Sequence, residues 1–142
     1  MVVTDTLEVR PMIEIPSGTE VRVIRADQDS DQTAQSAGMA RRSGIDANST
    51  GAKRLWMGRV TGPPGMRSAP HTHGEAETGA YVLSGRCRIY YGEGFREYLD
   101  AGPGDLIFVP ANTPHIEANL SEDEPAEFVV TRSPSNIVNN LE

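Results

Sequence analysis

Cysteine is almost absent from this chain. Cys87 stands alone, which excludes an intrachain disulfide and fits a reducing compartment. Long apolar runs are missing as well. None approaches the roughly 18 to 20 residues that a membrane helix needs, so no membrane partner is expected. The opening "MVVTDTLEVRP" lacks the basic-then-apolar order of a secretory signal, which predicts a cytoplasmic protein. Basic residues are scarce: 13 Lys and Arg stand against 20 Asp and Glu, a formal net charge of −7. A nucleic-acid partner is thereby disfavoured, because phosphates must be neutralised by cations. The deficit is local. Residues 101–142 hold Asp105, Glu117, Glu122, Asp123, Glu124, Glu127 and Glu142 against the single base Arg132, which reads as solubilising charge. Histidine is scarcest among the groups that carry chemistry. There are three, and two of them fall within "HTHGEAETGAYVLSG", residues 71–85.

What is abundant is turn material. Fourteen glycines and ten prolines punctuate short apolar stretches. "EVRVIR" 20–25, "KRLWMGRVT" 53–61, "TGAYVLSG" 78–85, "RCRIYYG" 86–92, "FREYL" 95–99, "DLIFVP" 105–110 and "AEFVVTR" 126–132 read as strands, several of them rich in β-formers and bounded by Gly or Pro. Short strands at this spacing predict an all-β sandwich or barrel. A length of 142 residues predicts one domain able to bury its own core. Within it, residues 1–52 are read as N-terminal strand and polar arm, and 53–142 as the barrel. Residues 26–52 are polar and without period, which predicts a long surface loop serving as a lid, a subunit contact or a plain connection.

Along a strand, residues i and i+2 share a face, so His71 and His73 can offer two imidazoles to one ion. The third histidine follows Pro114, and a proline holds the residue before it in extended conformation. Neutral imidazoles suit Fe, Mn, Ni, Cu or Zn. Spacing alone leaves open whether the three meet or serve separately as structural residues.

The same residues resemble the cupin superfamily. Its first motif reads G-x5-H-x-H-x3,4-E-x6-G. Here Gly65 is followed after five residues by His71, Thr72, His73, then Glu77 and Gly85. Its second motif reads G-x5-P-x-G-x2-H-x3-N. Here Gly104, Pro110, His115 and Asn119 fall in place, with Asn112 where the motif has glycine. Asn tolerates positive φ better than most residues, so the turn is expected to survive. The resemblance implies a double-stranded β-helix, a jelly-roll barrel. It also implies one divalent transition metal per chain, held by His71, His73, Glu77 and His115.

The first motif leaves its carboxylate ambiguous. Counting forward from His73 reaches Glu77, whereas counting back from Gly85 reaches Thr78. A β-bulge at Gly79 absorbs the extra residue and turns Glu77 inward. Without it, Thr78 faces in and three histidines remain. Glu75, in the turn after Gly74, is the third possibility. Glu77 is the expected ligand.

Function is expected to be that of a metal-dependent enzyme acting on a small organic molecule, either dioxygenase-like or a Lewis-acid isomerase or lyase. The alternative is a non-catalytic small-molecule binding or sensing module. Cys87 reads as a buried structural thiol and Arg59 as a surface residue. Arg41 or Arg42 is a candidate for pairing across a dimer. Unpaired edges in "VRVIR" or "NIVNN", 136–140, are expected to support a homodimer.

Overall fold

The computed structural model describes residue 18 and residues 20–142. The fold is all-β and antiparallel throughout. Its strands are β1 (Ala40–Ile45), β2 (Trp56–Gly62), β3 (His71–Thr72), β4 (Glu77–Ser84), β5 (Cys87–Tyr91), β6 (Glu97–Ala101), β7 (Leu106–Val109), β8 (Ile116–Asn119), β9 (Ala126–Ser133) and β10 (Asn139–Asn140). They form a five-stranded sheet in the order β1-β2-β9-β4-β7, a three-stranded sheet β6-β5-β8, and the pair β10-β3. The result is the double-stranded β-helix expected from the sequence.

Alternation explains the core. In β2, Trp56, Gly58, Val60 and Gly62 are buried, while Met57 and Arg59 face out, the period-2 signature of a strand with one wet face. In β9, Ala126, Phe128, Val130 and Arg132 are buried on the same principle. Trp56, Val60, Val82, Ile89, Phe128 and Val130 pack with Cys87 into one cluster. Cys87 is thus the buried structural thiol expected, and burial pushes its thiol up to about 12.

Two turns carry backbone demands. Gly85 joins β4 to β5 at φ +85°, and a Cβ there would lie 2.7 Å from the Ala126 Cα, so only glycine fits. Asn112 adopts φ +57°, so the turn expected at that substitution does form.

Several expectations require correction. Residues 20–25 form no strand, and Val21 and Val23 are exposed. Residues 26–52 are not one long loop. They contain β1, which pairs with β2 in register Arg41↔Val60 and Arg42↔Arg59. They also contain the single helical turn α1 (Ala47–Thr50), capped reciprocally by Asp46 and Ser49. Arg41 is not placed to pair across a dimer: it is 1% exposed. Arg42 and Arg59 both bind Asp29, at 2.9 and 2.5 Å, which ties the preceding arm to the outer face of β1 and β2. In "NIVNN", Asn139 and Asn140 pair on one side with Thr72 and His71 of the same chain, which leaves the other side of this short strand as an edge.

Candidate metal centre

His71 belongs to β3 and faces His115 across a bridge. Each residue's N–H donates to the other's carbonyl, at 3.1 and 3.0 Å. His73 lies two residues on, so its side chain shares the His71 face. The three rings meet inside the barrel, with centroids 4.4 to 5.1 Å apart. Their donor nitrogens all lie within 4.8 Å of one another. All three side chains are 2% exposed or less.

Each ring is oriented by its Nδ1. His71 Nδ1 is 2.8 Å from the Ala69 carbonyl, His73 Nδ1 is 2.7 Å from the Ile137 carbonyl, and His115 Nδ1 is 2.9 Å from the Thr113 carbonyl. A carbonyl only accepts, so Nδ1 must carry the proton in every case. Nε2 is then the nitrogen with the lone pair, and all three Nε2 atoms point inward. Backbone carbonyls behind imidazoles are how proteins fix the tautomer of metal-binding histidines. The Nε2 atoms of His71 and His115 are buried and have no hydrogen-bond partner.

Burial also keeps two of the rings unprotonated. It pushes His71 down to about 4, partly offset by the Glu117 charge. It pushes His73 down to about 3, with the Arg132 cation acting in the same direction. Both therefore hold free lone pairs at neutral pH. His115 differs. Burial opposes its charge, but the neighbouring Glu117 carboxylate outweighs that and raises it.

The sequence-expected carboxylate does not join the cluster. Glu77 is exposed at the start of β4, and Thr78 takes the buried position. The reason is register. β4 pairs with β7 without interruption through Thr78↔Val109, Gly79↔Phe108 and Ala80↔Ile107. The irregularity absorbing the extra residue falls between Val82 and Ser84, in the pairing with β9. A bulge at Leu83 instead of Gly79 leaves Glu77 outside. Glu75 is also exposed.

Three charged residues line the interior that the sequence placed elsewhere, Arg41 at a dimer contact and Glu117 and Arg132 in a segment read as solubilising charge. Arg132 of β9 is 4% exposed. Its Nε donates to Thr78 Oγ1 at 2.9 Å, its Nη1 to Asn136 Oδ1 at 2.8 Å, and its Nη2 lies 3.0 Å from His73 Nε2. A cation bound by all three imidazoles requires this guanidinium to release His73. Arg41 donates from Nη1 to Ser36 Oγ at 3.0 Å, while its Nε and Nη2 are buried without partners. Glu117 of β8 places Oε2 3.4 Å from His115 Nε2. Its position two residues past a histidine, in extended chain, was the available signal.

Two spaces adjoin the site. A small internal cavity of about 30 Å³ is bounded by Thr78, Arg41, Glu117 and Arg132. A larger one of about 460 Å³ lies between β7 and the β5–β6 pair and reaches His115, with Ile89, Tyr91, Leu99, Ile107 and Val109 in its walls. The donor set fits a transition ion: neutral nitrogens, oriented from behind, two of them with no other partner.

Comparison with known proteins agrees with this fold. A family model described as "Cupin domain" matches residues 58–132, more than half of the chain. No curated protein matches. Among solved structures, the polyketide cyclase RemF from Streptomyces resistomycificus is similar at 26% identity. The match covers 87% of this chain and 86% of that one, with a TM-score of 0.65. KdgF from Halomonas sp. matches at 21% identity over 81% and 94% of the two chains, TM-score 0.62. An oxalate oxidase matches at 18% identity over 95% and 72%, TM-score 0.67.

Proposed function

We propose, from the premise that this chain belongs to the cupin family, that it is a metal-dependent enzyme. In this reading it binds one divalent transition ion through His71, His73 and His115. It performs Lewis-acid chemistry, a cyclisation, isomerisation or elimination, on a largely apolar small molecule carrying oxygen donors. The observation that carries the reading is the convergence of three Nε2 atoms whose Nδ1 protons are all committed to carbonyls. Such an ion polarises an oxygen atom and stabilises enolate charge. The cavity walls supply apolar contact for the rest of the molecule, as small-molecule sites do. The likeness to a polyketide cyclase, at 26% identity, supports carbon–carbon or enolate chemistry over oxygen chemistry.

Arg132 also enters this scheme. It holds Thr78 and Asn136, and on leaving His73 its Nη2 would face the ion's side of the cavity, where it could stabilise an anionic oxygen. Thr113, whose carbonyl orients His115, also lines the cavity.

The first test is metal content of untagged protein by mass spectrometry, for wild type and His115→Ala. About one ion per chain, lost in the variant, is the expected result. Wild type that takes up no ion after reconstitution with Fe(II), Mn, Ni, Cu or Zn would overturn the enzyme reading in favour of a binding module. Oxygen consumption with diketones or phenols would replace Lewis-acid chemistry by dioxygenase chemistry. The reading includes a homodimer in the cytoplasm, which sedimentation and fractionation would check.

A further inference from the structure

The three histidines leave open which carboxylate belongs to the centre. Glu77 and Glu75 are exposed. Among the residues bounding the inner cavity, Glu117 is the one acid. It sits on the strand that follows His115, two residues along, so both side chains reach the same interior.

We propose that Glu117 is the fourth protein donor of the metal centre, so that the carboxylate comes from β8 instead of β4. This rests on the metal-centre reading above. Three features of the structure carry it.

The first is a conflict between acceptors. His115 Nδ1 donates to the Thr113 carbonyl, so in the neutral ring Nε2 is a bare lone pair. Glu117 Oε2 faces that lone pair at 3.4 Å. The His115 atom is fully buried and the Glu117 side chain keeps 18% of its surface exposed; two acceptors at this separation repel unless positive charge lies between them. Either a proton on Nε2 or a bound cation meets the requirement. The lone pair of His71 Nε2, unpartnered in the same interior, favours the cation, because a proton on His115 does nothing for His71.

The second is distance. Nitrogen and oxygen donors on one tetrahedral or octahedral ion, each about 2.1 Å from it, lie about 3.0 to 3.4 Å apart. The separation of His115 Nε2 from Glu117 Oε2 is 3.4 Å, so these two atoms can share an edge of one coordination polyhedron with little movement.

The third is the free end of the carboxylate. Glu117 Oε1 is buried with no hydrogen-bond partner. A carboxylate held for structure alone would have both oxygens satisfied. The Arg41 side chain, 1% exposed and with two unpartnered nitrogens, lies on the same cavity.

The test is a Co(II) and Zn(II) titration of the untagged full chain, by competition with a chromophoric chelator, with the visible spectrum of the Co(II) form recorded alongside. Wild type, Glu117→Gln, Glu117→Asp, Glu77→Gln and His115→Ala are compared, and thermal melts establish that each is folded. Glu117→Gln is expected to weaken Co(II) binding roughly tenfold or more and to change the ligand-field bands, while Glu77→Gln stays within about twofold of wild type. If Glu117→Gln does not fold, Glu117→Asp carries the same expectation with a smaller loss. Equal affinity and an unchanged spectrum in the Glu117 variants, with binding lost in His115→Ala, would overturn the proposal and leave the three-histidine centre standing. Weaker affinity with an unchanged spectrum would also overturn it, since Glu117 would then act as a nearby charge and not as a ligand. Absence of binding in wild type would bring down the metal-centre reading itself, and the proposal with it.

Discussion

Strands β4 and β8 each carry a glutamate beside the histidine cluster, and only one of the two faces it. In β4, Glu77 is exposed and Thr78 is buried. In β8, Glu117 reaches to 3.4 Å from His115 Nε2. Nothing in residue type separates them. Register does: a one-residue slip moves every side chain of a strand to the other face. In β4 the slip is absorbed at Val82/Ser84, too late to help Glu77. In β8 the spacing of two from His115 leaves no freedom. A donor close in sequence to its partner ligand is fixed by geometry, whereas one reached across a turn depends on where a bulge falls.

The largest effect expected is on the β8 side. His115→Ala should abolish metal binding, lowering affinity more than a hundredfold, because it removes a ligand while the backbone bridge that pins β3 stays in place. Metal retained at the wild-type level would show that β8 does not contribute to the centre.

Chelated protein should lose stability as pH falls from about 6.5 to about 4. The unfolded chain binds protons on His71 and His73 in that window, while the folded chain, with these rings at about 4 and about 3, does not. Protons bound more by the unfolded state favour unfolding. His115, raised in the folded state, works in the opposite sense, so the net fall reflects two rings against one. Urea midpoints at pH 7 and pH 4.5 measure it, and equal midpoints would contradict the buried, neutral state assigned to the pair.

Thr78→Glu sharpens the comparison by placing a carboxylate at the inward position of β4. It should tighten metal binding several-fold. Overpacking a site that is 4% exposed should lower stability by about 1 to 3 kcal/mol. Tighter binding together with a lower Tm is the expected pattern; no change in affinity would mean that Arg132 takes the new carboxylate for itself.

The smallest effect concerns the arm. The Arg59 and Arg42 guanidiniums hold the Asp29 carboxyl below its ordinary value, against a small opposing effect of burial. Asp29→Asn should therefore speed amide exchange of Ser30 and Ser43, which bond each other, with metal affinity untouched. The contribution of Asp29 is present above its unfolded pKa and fades as acid protonates it, so wild type at low pH should come to resemble the variant.

Much of the barrel was legible because its strands follow the period-2 pattern and are closed by glycines, as β2, β5 and β9 show. β1 was not legible, because its inward residues are Arg41 and Ser43 and the pattern is inverted where a strand lines a polar interior. "EVRVIR" misled in the opposite sense: its alternation is that of a strand, but residues 20–25 pair with nothing described. The histidines were legible through their spacing. Glu117 was hidden among seven acids of the same segment, since a motif template gives weight to its own positions and passes over the residue between them.

The Ile137 carbonyl that orients His73 lies 64 residues downstream of it. During synthesis the histidine therefore leaves the ribosome several seconds before its anchor, at about 5 to 20 residues per second. In that interval the ring has no partner to fix its tautomer. The orientation of His73 is completed late, when residues 139–140 pair with β3, so a nascent chain that has already made β1 to β8 still lacks the anchor for this ring.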